Sequence, residues 1–265
     1  MVVNDLGSSV DGEGDDAGPA AAVADEIVAA GGAAIPDTHD VSDSAGARGL
    51  VETAIAHFDR LDIVINNAGI IRWAGLPEAD EDNLRRHVDV HLAGSFHTSR
   101  AAWQHLVQQG YGRLVMTTSA GVFGVPKNLS YAAAKGGVIG LTRSLATAGV
   151  AHGIAVNAIA PAAMTRMAGS RAGADDAPEM APELVAPMAA YLAHDSCRVT
   201  GEIYAAGGGR FARIFIASTD GYVAAGMHPT IEEVAANWDT INDENRYVVP
   251  ADLPAWSAAF LSHLE

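Results

Sequence analysis

The sequence predicts an α/β fold built on a doubly wound parallel sheet. Three observations point to it. Short and almost wholly apolar runs, Leu61-Asp-Ile-Val-Ile-Asn66, Arg113-Leu-Val-Met-Thr-Thr-Ser119 and residues 154–159, read as strands buried on both faces. Longer segments with helical spacing alternate with these runs. The first two of these runs close in polar or glycine residues, at the strand ends where open α/β sheets bind ligands. The chain has 265 residues, 49% of them hydrophobic, enough for one such core and a tail.

The elements follow in order. Residues 1–4 form a short β run that ends at Asp5. Residues 19–30 are helical, with Val23, Ile27 and Val28 apolar, and Gly31-Gly32 stop the helix. Residues 44–58 form the next helix and lead into the strand closed by Asn66-Asn67-Ala68-Gly69. Residues 80–106 are helical apart from their start. The strand at 113–119 delivers hydroxyls at its end, and the helix that carries Tyr131 and Lys135 runs to about Gly149. The strand at 154–159 ends at Pro161, followed by Ala162, Ala163 and Thr165. Residues 164–182, acidic and rich in Gly, Ala and Pro, suit a mobile lid. A helix over 182–194 and a last strand over 201–206 follow, closed by a Gly207-Gly208-Gly209 turn. In the tail, Thr230-Ile-Glu-Glu233 has capping-box spacing, so a helix runs to about Ile241. A second tail helix, 254–264, carries Trp256, Phe260, Leu261 and Leu264 on one side.

Composition excludes several classes. The net charge of −16 argues against binding nucleic acid or an anionic membrane surface. A phosphorylated substrate would need a local basic patch, for which Arg72, Arg166, Arg171 and Arg210 are candidates. The single cysteine, Cys197, rules out an intramolecular disulfide, and no metal site is expected. No apolar run spans a bilayer, no signal-peptide pattern opens the chain, and Ser-His-Leu-Glu at its end is no peroxisomal address, so the cytoplasm is expected.

Tyr131 and Lys135 carry the chemistry. Four residues apart on one helix, they share a face. A free tyrosine titrates near 10 and is a poor base at neutral pH; a neighbouring cation favours the phenolate and lowers that value. Such a pair can exchange a proton with a carbonyl or alcohol. Taken alone, the spacing better fits an ordinary surface Tyr and Lys on a helix, because such a pair arises often by chance.

Together, Asn66-Asn67-Ala68-Gly69, the hydroxyl cluster before Gly121, and Tyr131 with Lys135 resemble the short-chain dehydrogenase/reductase family. The resemblance covers residues 1–209 and implies a Rossmann-like domain, with 210–265 as a helical C-terminal extension of it. Val90-His-Leu-Ala-Gly-Ser-Phe96, Arg100-Ala-Ala-Trp103, Asn157-Ala-Ile-Ala-Pro161, His228-Pro229 and Ala236-Asn-Trp238 are similar to the (3R)-hydroxyacyl-CoA dehydrogenase domains of type 2 peroxisomal multifunctional enzymes and their bacterial relatives. The resemblance implies an NAD-dependent oxidoreductase interconverting a secondary alcohol and a ketone, on a (3R)-hydroxyacyl thioester or a similar lipophilic alcohol such as a steroid. It implies a homodimer or homotetramer. Tyr131 becomes the general acid/base, and Lys135 lowers its pKa and holds the nicotinamide ribose. Asn66, Ala68 and Gly69 lie along the cofactor, Asp40 and Val41 flank adenine, and Pro161 and Ala163 lie near the nicotinamide amide. Asp5, ending the first strand, accepts from the adenosine ribose and repels a 2′-phosphate, so NAD is expected over NADP.

Four departures stand out. The family's opening strand, glycine-rich turn and helix have no counterpart, so the expected fold is truncated at its N-terminus. Gly12-Glu-Gly-Asp-Asp16-Ala17 does not replace that turn, because its carboxylates and Asp11 would crowd a pyrophosphate. The missing strand is normally central, so its loss leaves two unpaired edges and an exposed apolar face. Three outcomes stay open: a chain that begins upstream of this Met1, a shift of the first two strands to new partners, or loss of cofactor binding in a non-catalytic scaffold. At the catalytic hydroxyl, the family's serine position counts back to Thr118, with Ser119 as the alternative; strand neighbours face opposite ways, so one of the two points into the site. His91 stands where many members have asparagine, and reads equally as a proton relay or a packed helix histidine. Ala162 and Ala163 follow Pro161 where many members have glycine.

Overall fold

The computed structural model describes residues 1–168, 177–226 and 228–264. The chain divides into two compact units, Met1–Arg213 and Ile214–Glu265. In the first, strands and helices alternate: β1 (Val2–Asn4), α1 (Gly18–Ala29), β2 (Ile35–Asp37), α2 (Ser44–Phe58), β3 (Ile63–Asn66), α3 (Glu81–His87), a π-helical turn (Val88–Ala93), α4 (Gly94–Gln109), β4 (Gly112–Thr117), α5 (Leu129–Gly149), β5 (Ile154–Pro161), α6 (Ala186–Ala193), β6 (Ile203–Gly207) and β7 (Arg210–Ile214).

Local chemistry sets these bounds. Asp43 caps α2 by accepting from the Gly46 amide at 2.9 Å, and the helix stops at Asp59, which adopts the left-handed conformation. Gly110 ends α4 in the same conformation. Gly208 and Gly209, with φ of 56° and 71°, make the two-residue turn that folds β7 back beside β6. The strand expected to be the last is therefore followed by another.

The sheet is divided. β1 and β2 pair in parallel as one two-stranded sheet, while β3-β4-β5-β6-β7 form a second. Among the described residues β1 pairs only with β2, and β3 only with β4. The two open edges expected inside the sheet are thus present. β3, β4, β5 and β6 run parallel, with Ile65 beside Val115 and Val115 beside Asn157. Leu114, Val115, Met116, Val156 and Ala158 are completely buried at the centre. α6 covers one face of this sheet, where Leu192, Ala193 and Cys197 pack with Val115, Ile159 and Ala206. Ile63 and Ile65 register with Arg113 and Val115, so they lie on that same face, yet they stay 42% and 49% exposed, while Val64 on the opposite face is buried. Beyond α6, then, the apolar face of β3 lies bare.

The segment expected as a lid falls only partly within the described residues. Arg166–Ala168, Pro178–Met180 and Pro182–Leu184 form single 3-10 turns, so α6 begins only at Ala186, and residues 169–176 lie outside the described residues.

The second unit is not purely helical. β8 (Ser218–Thr219) pairs antiparallel with β9 (Tyr247–Val248). The Thr230 hydroxyl accepts from the Glu233 amide at 3.2 Å and starts α7 (Ile231–Ala236). The helix expected to run on to Ile241 breaks at Asn237 and resumes as α8 (Trp238–Ile241). α9 (Leu253–Phe260) stacks Trp256 on Phe260 with ring centroids 4.7 Å apart.

Candidate active site

The C-terminal end of β4 and the first turns of α5 bring the reactive groups together. Ser119 follows β4 in extended conformation, and its hydroxyl accepts from the Gly121 amide at 3.0 Å. The same hydroxyl stands near enough to the Tyr131 phenol to favour its ionised form. Gly121 fits closely here: a Cβ on it would lie 3.3 Å from the Ser119 oxygen and 3.6 Å from the Tyr131 ring.

Thr118, the favoured candidate by sequence, points away. Its hydroxyl is buried and donates to the Lys135 carbonyl at 2.8 Å. The pleat explains the correction, since adjacent residues face opposite sides and Thr118 is turned beneath α5. Thr117 also stays out of the site, donating to Asn67 Oδ1 at 3.4 Å.

Lys135 is buried, and its Nζ donates to the Thr117 carbonyl at 2.7 Å, 5.6 Å from the centroid of the Tyr131 ring. Burial lowers its pKa to about 7. Burial also raises the Tyr131 phenol above its ordinary value, with the Ser119 hydroxyl pulling the other way. The expectation that Lys135 acidifies Tyr131 is therefore not met in this geometry. The amine is directed at a backbone carbonyl, and desolvation favours the neutral form of both groups.

His91 is buried beside this pair, on the π-helical turn, with its ring 5.1 Å from that of Tyr131 and edge-on to it. Burial first, and then the Lys135 charge, hold its pKa well below the usual histidine value, so it is neutral. Gly69 admits the ring: a Cβ there would lie 2.5 Å from His91 Cε1. Sequence reading did not single out Asn83 and His87, which stand on the same helical face as His91. Their signal was present, because 83, 87 and 91 are spaced four apart.

The expected cofactor residues are more dispersed. Asp5 ends β1, exposed, with its carboxylate accepting from the Gly7 amide at 2.7 Å. Asp40 accepts from the Ser42 amide at 2.8 Å, and Val41 packs against Gly94 at the start of α4. Asn66 turns inward to Ser99 and to the sulfur of Met116, so it ties β3 to α4 and β4. Ala68 is exposed beyond it. Pro161 closes β5 opposite Ala206, and Ala163 follows in the loop. Of the candidate basic patch, Arg72 is ion-paired with Glu13 and with Asp82, and Arg171 lies outside the described residues.

These groups suit the nicotinamide and ribose end of a dinucleotide. A hydroxyl, a phenol and an amine with protons to spare converge there as donors. The segment after β1 offers no comparable seat for phosphates. Its backbone is folded on itself, with Ser9 N–H to the Glu13 carbonyl at 2.9 Å and Asp16 N–H to the Leu6 carbonyl at 3.1 Å, and Asp11, Glu13, Asp15 and Asp16 line it. Among the described residues no group of three His, Cys, Asp or Glu side chains is placed to hold a metal ion.

Fold and site together define an α/β oxidoreductase of the tyrosine–lysine type. The family model for short chain dehydrogenases matches residues 10–175, and the chain belongs to that family of nicotinamide-dependent enzymes. It is 38% identical over 248 residues to a short-chain type dehydrogenase/reductase of Mycobacterium tuberculosis, covering 92% of this chain and 85% of that protein. It is also 38% identical over 249 residues to mouse peroxisomal multifunctional enzyme type 2, covering 92% of this chain but 33% of that one. The structure of the full-length Drosophila melanogaster enzyme of that name superposes with a TM-score of 0.77 at 30% identity, over 92% of this chain and 43% of that one. The chain thus spans less than half the length of these multifunctional relatives.

Proposed function

We propose that this chain is an NAD(H)-dependent oxidoreductase that interconverts a secondary alcohol and a ketone on a (3R)-hydroxyacyl thioester or a similar lipophilic substrate. The observation that carries the reading is the convergence of Ser119, Tyr131 and Lys135 at the end of β4. Ser119 holds the substrate oxygen. Tyr131, a neutral phenol in this setting, delivers a proton to a ketone oxygen; in the other direction the phenolate left by that step takes the proton from the alcohol. Lys135 fixes the nicotinamide ribose. The cofactor supplies the hydride or accepts it. Asp5 favours NAD over its 2′-phosphorylated form by charge. The likeness to multifunctional enzymes of type 2 supports the thioester. A homodimer or homotetramer completes the reading, and light scattering tests it.

A second reading has its own observation. The divided sheet and the acidic segment over residues 11–16 favour a scaffold without cofactor binding. Titrating NADH and following nicotinamide fluorescence separates the two. Saturable binding, followed by NAD reduction with a (3R)- but not a (3S)-hydroxyacyl thioester, supports the enzyme. No saturable signal at millimolar NADH supports the scaffold.

A further inference from the structure

Asn83, His87 and His91 grip one short piece of backbone, residues 70–72, just past the end of β3. His87 Nδ1 donates to the Asn83 carbonyl at 2.7 Å, which leaves Nε2 to accept from the Arg72 amide at 3.2 Å. Asn83 Nδ2 donates to the Arg72 carbonyl at 3.1 Å. Flanking polar groups of Arg72 are thus both held from α3. From the other side, the Ile71 amide donates to the Val10 carbonyl at 2.8 Å. His91 Nε2 lies 2.8 Å from the Ile70 carbonyl and 3.4 Å from the Ile70 amide. A carbonyl oxygen only accepts, so the shorter contact requires the proton on Nε2. The longer contact then sets donor against donor and is not a bond. Nδ1 keeps its lone pair, buried and without a partner among the described residues. The His87 and His91 rings stack at 5.9 Å, and the Tyr131 ring stands edge-on to both.

We propose that His87 is a positioning residue: by fixing the Arg72 peptide it holds the Ile70 carbonyl where that carbonyl selects the Nε2–H form of His91, which keeps Nδ1 open as an acceptor beside Tyr131 and Lys135. This rests on the reading of Tyr131 and Lys135 as the proton-transfer pair. If the Ile70 carbonyl swings away, the neutral ring is free to carry its proton on Nδ1, and the acceptor is lost.

The test reads the tautomer directly. In protein labelled with 15N-histidine, long-range proton–nitrogen correlation spectra report which ring nitrogen of His91 is protonated, with its signals assigned by their loss in His91→Asn. His87→Gln can still offer an oxygen to the Arg72 amide; His87→Asn is too short to reach it. Wild type and His87→Gln should show the Nε2–H form. His87→Asn should show a mixture, with kcat lower than in His87→Gln by roughly tenfold, a fraction of what a placed acid–base group contributes, and KM unchanged. Asn83→Ala frees the other end of the Arg72 peptide and should shift the tautomer in the same sense, so the test survives if His87→Asn does not fold. An unchanged His91 tautomer in folded His87→Asn or Asn83→Ala, or a proton on Nδ1 in wild type, overturns the proposal. The spectrum is read whether or not the protein turns over, so this outcome is separable from failure of the dehydrogenase reading.

Discussion

The Thr118 hydroxyl donates to the Lys135 carbonyl at 2.8 Å, while Lys135 Nζ donates to the carbonyl of the preceding residue, Thr117, at 2.7 Å. The end of β4 and the second turn of α5 are cross-tied by these two bonds. They hold Lys135 in place and leave Ser119 as the hydroxyl facing Tyr131.

That division of labour separates two neighbouring substitutions. Ser119→Ala removes a donor at the reacting oxygen and should lower kcat about 100-fold, at a cost of about 1 kcal/mol for the lost bond from the Gly121 amide. Thr118→Val keeps the shape but loses a buried bond, and should cost about 1 kcal/mol of stability with a loss of kcat below about tenfold. Steady-state kinetics and urea denaturation on both variants check this. The reverse ranking of kcat would return the catalytic hydroxyl to Thr118.

Lys135 carries a stability signature. Burial takes its pKa from 10.5 down to about 7, so folding disfavours its charged form. Between pH 7 and 10.5 the unfolded chain holds a proton that the folded chain has released, and stability rises with pH across that window. The penalty is complete below pH 7 and gone by 10.5. Lys135→Met abolishes it, so the variant should gain most over wild type at pH 6 and progressively less toward pH 10. Urea denaturation across that range checks the trend, and a difference that does not vary with pH contradicts it.

The bare face of β3 makes a contrast within one strand. Val64 is buried, and Val64→Ala should cost about 2 kcal/mol. Ile65, next to it and half exposed, should tolerate Thr within about 0.5 kcal/mol. Equal losses at both positions in denaturant melts would mean that something covers Ile65 in solution.

Much of this was legible in the sequence because local signals agreed with the fold. The apolar runs at Ile63, Leu114 and Val156 marked their elements, and the missing central strand foretold the divided sheet. What stayed hidden depended on direction and on contacts distant in sequence. Counting back from Tyr131 could not tell which way Thr118 and Ser119 face, because the pleat is set by the pairing of β4. The acidification of Tyr131 failed as an expectation because residue spacing says nothing of burial or of the Thr117 carbonyl that captures the amine. The β7 strand was missed because three glycines read as an end, and two of them form a hairpin turn. Asn83 and His87 passed unnoticed because their role appears only once residues 70–72 lie against them.

The most direct measurement is turnover of Tyr131→Phe in a preparation that reduces NAD with a (3R)-hydroxyacyl thioester. If the phenol carries the proton as proposed, removing its oxygen should lower kcat roughly 1000-fold while the fold and NADH binding persist. Turnover within tenfold of wild type would contradict the account.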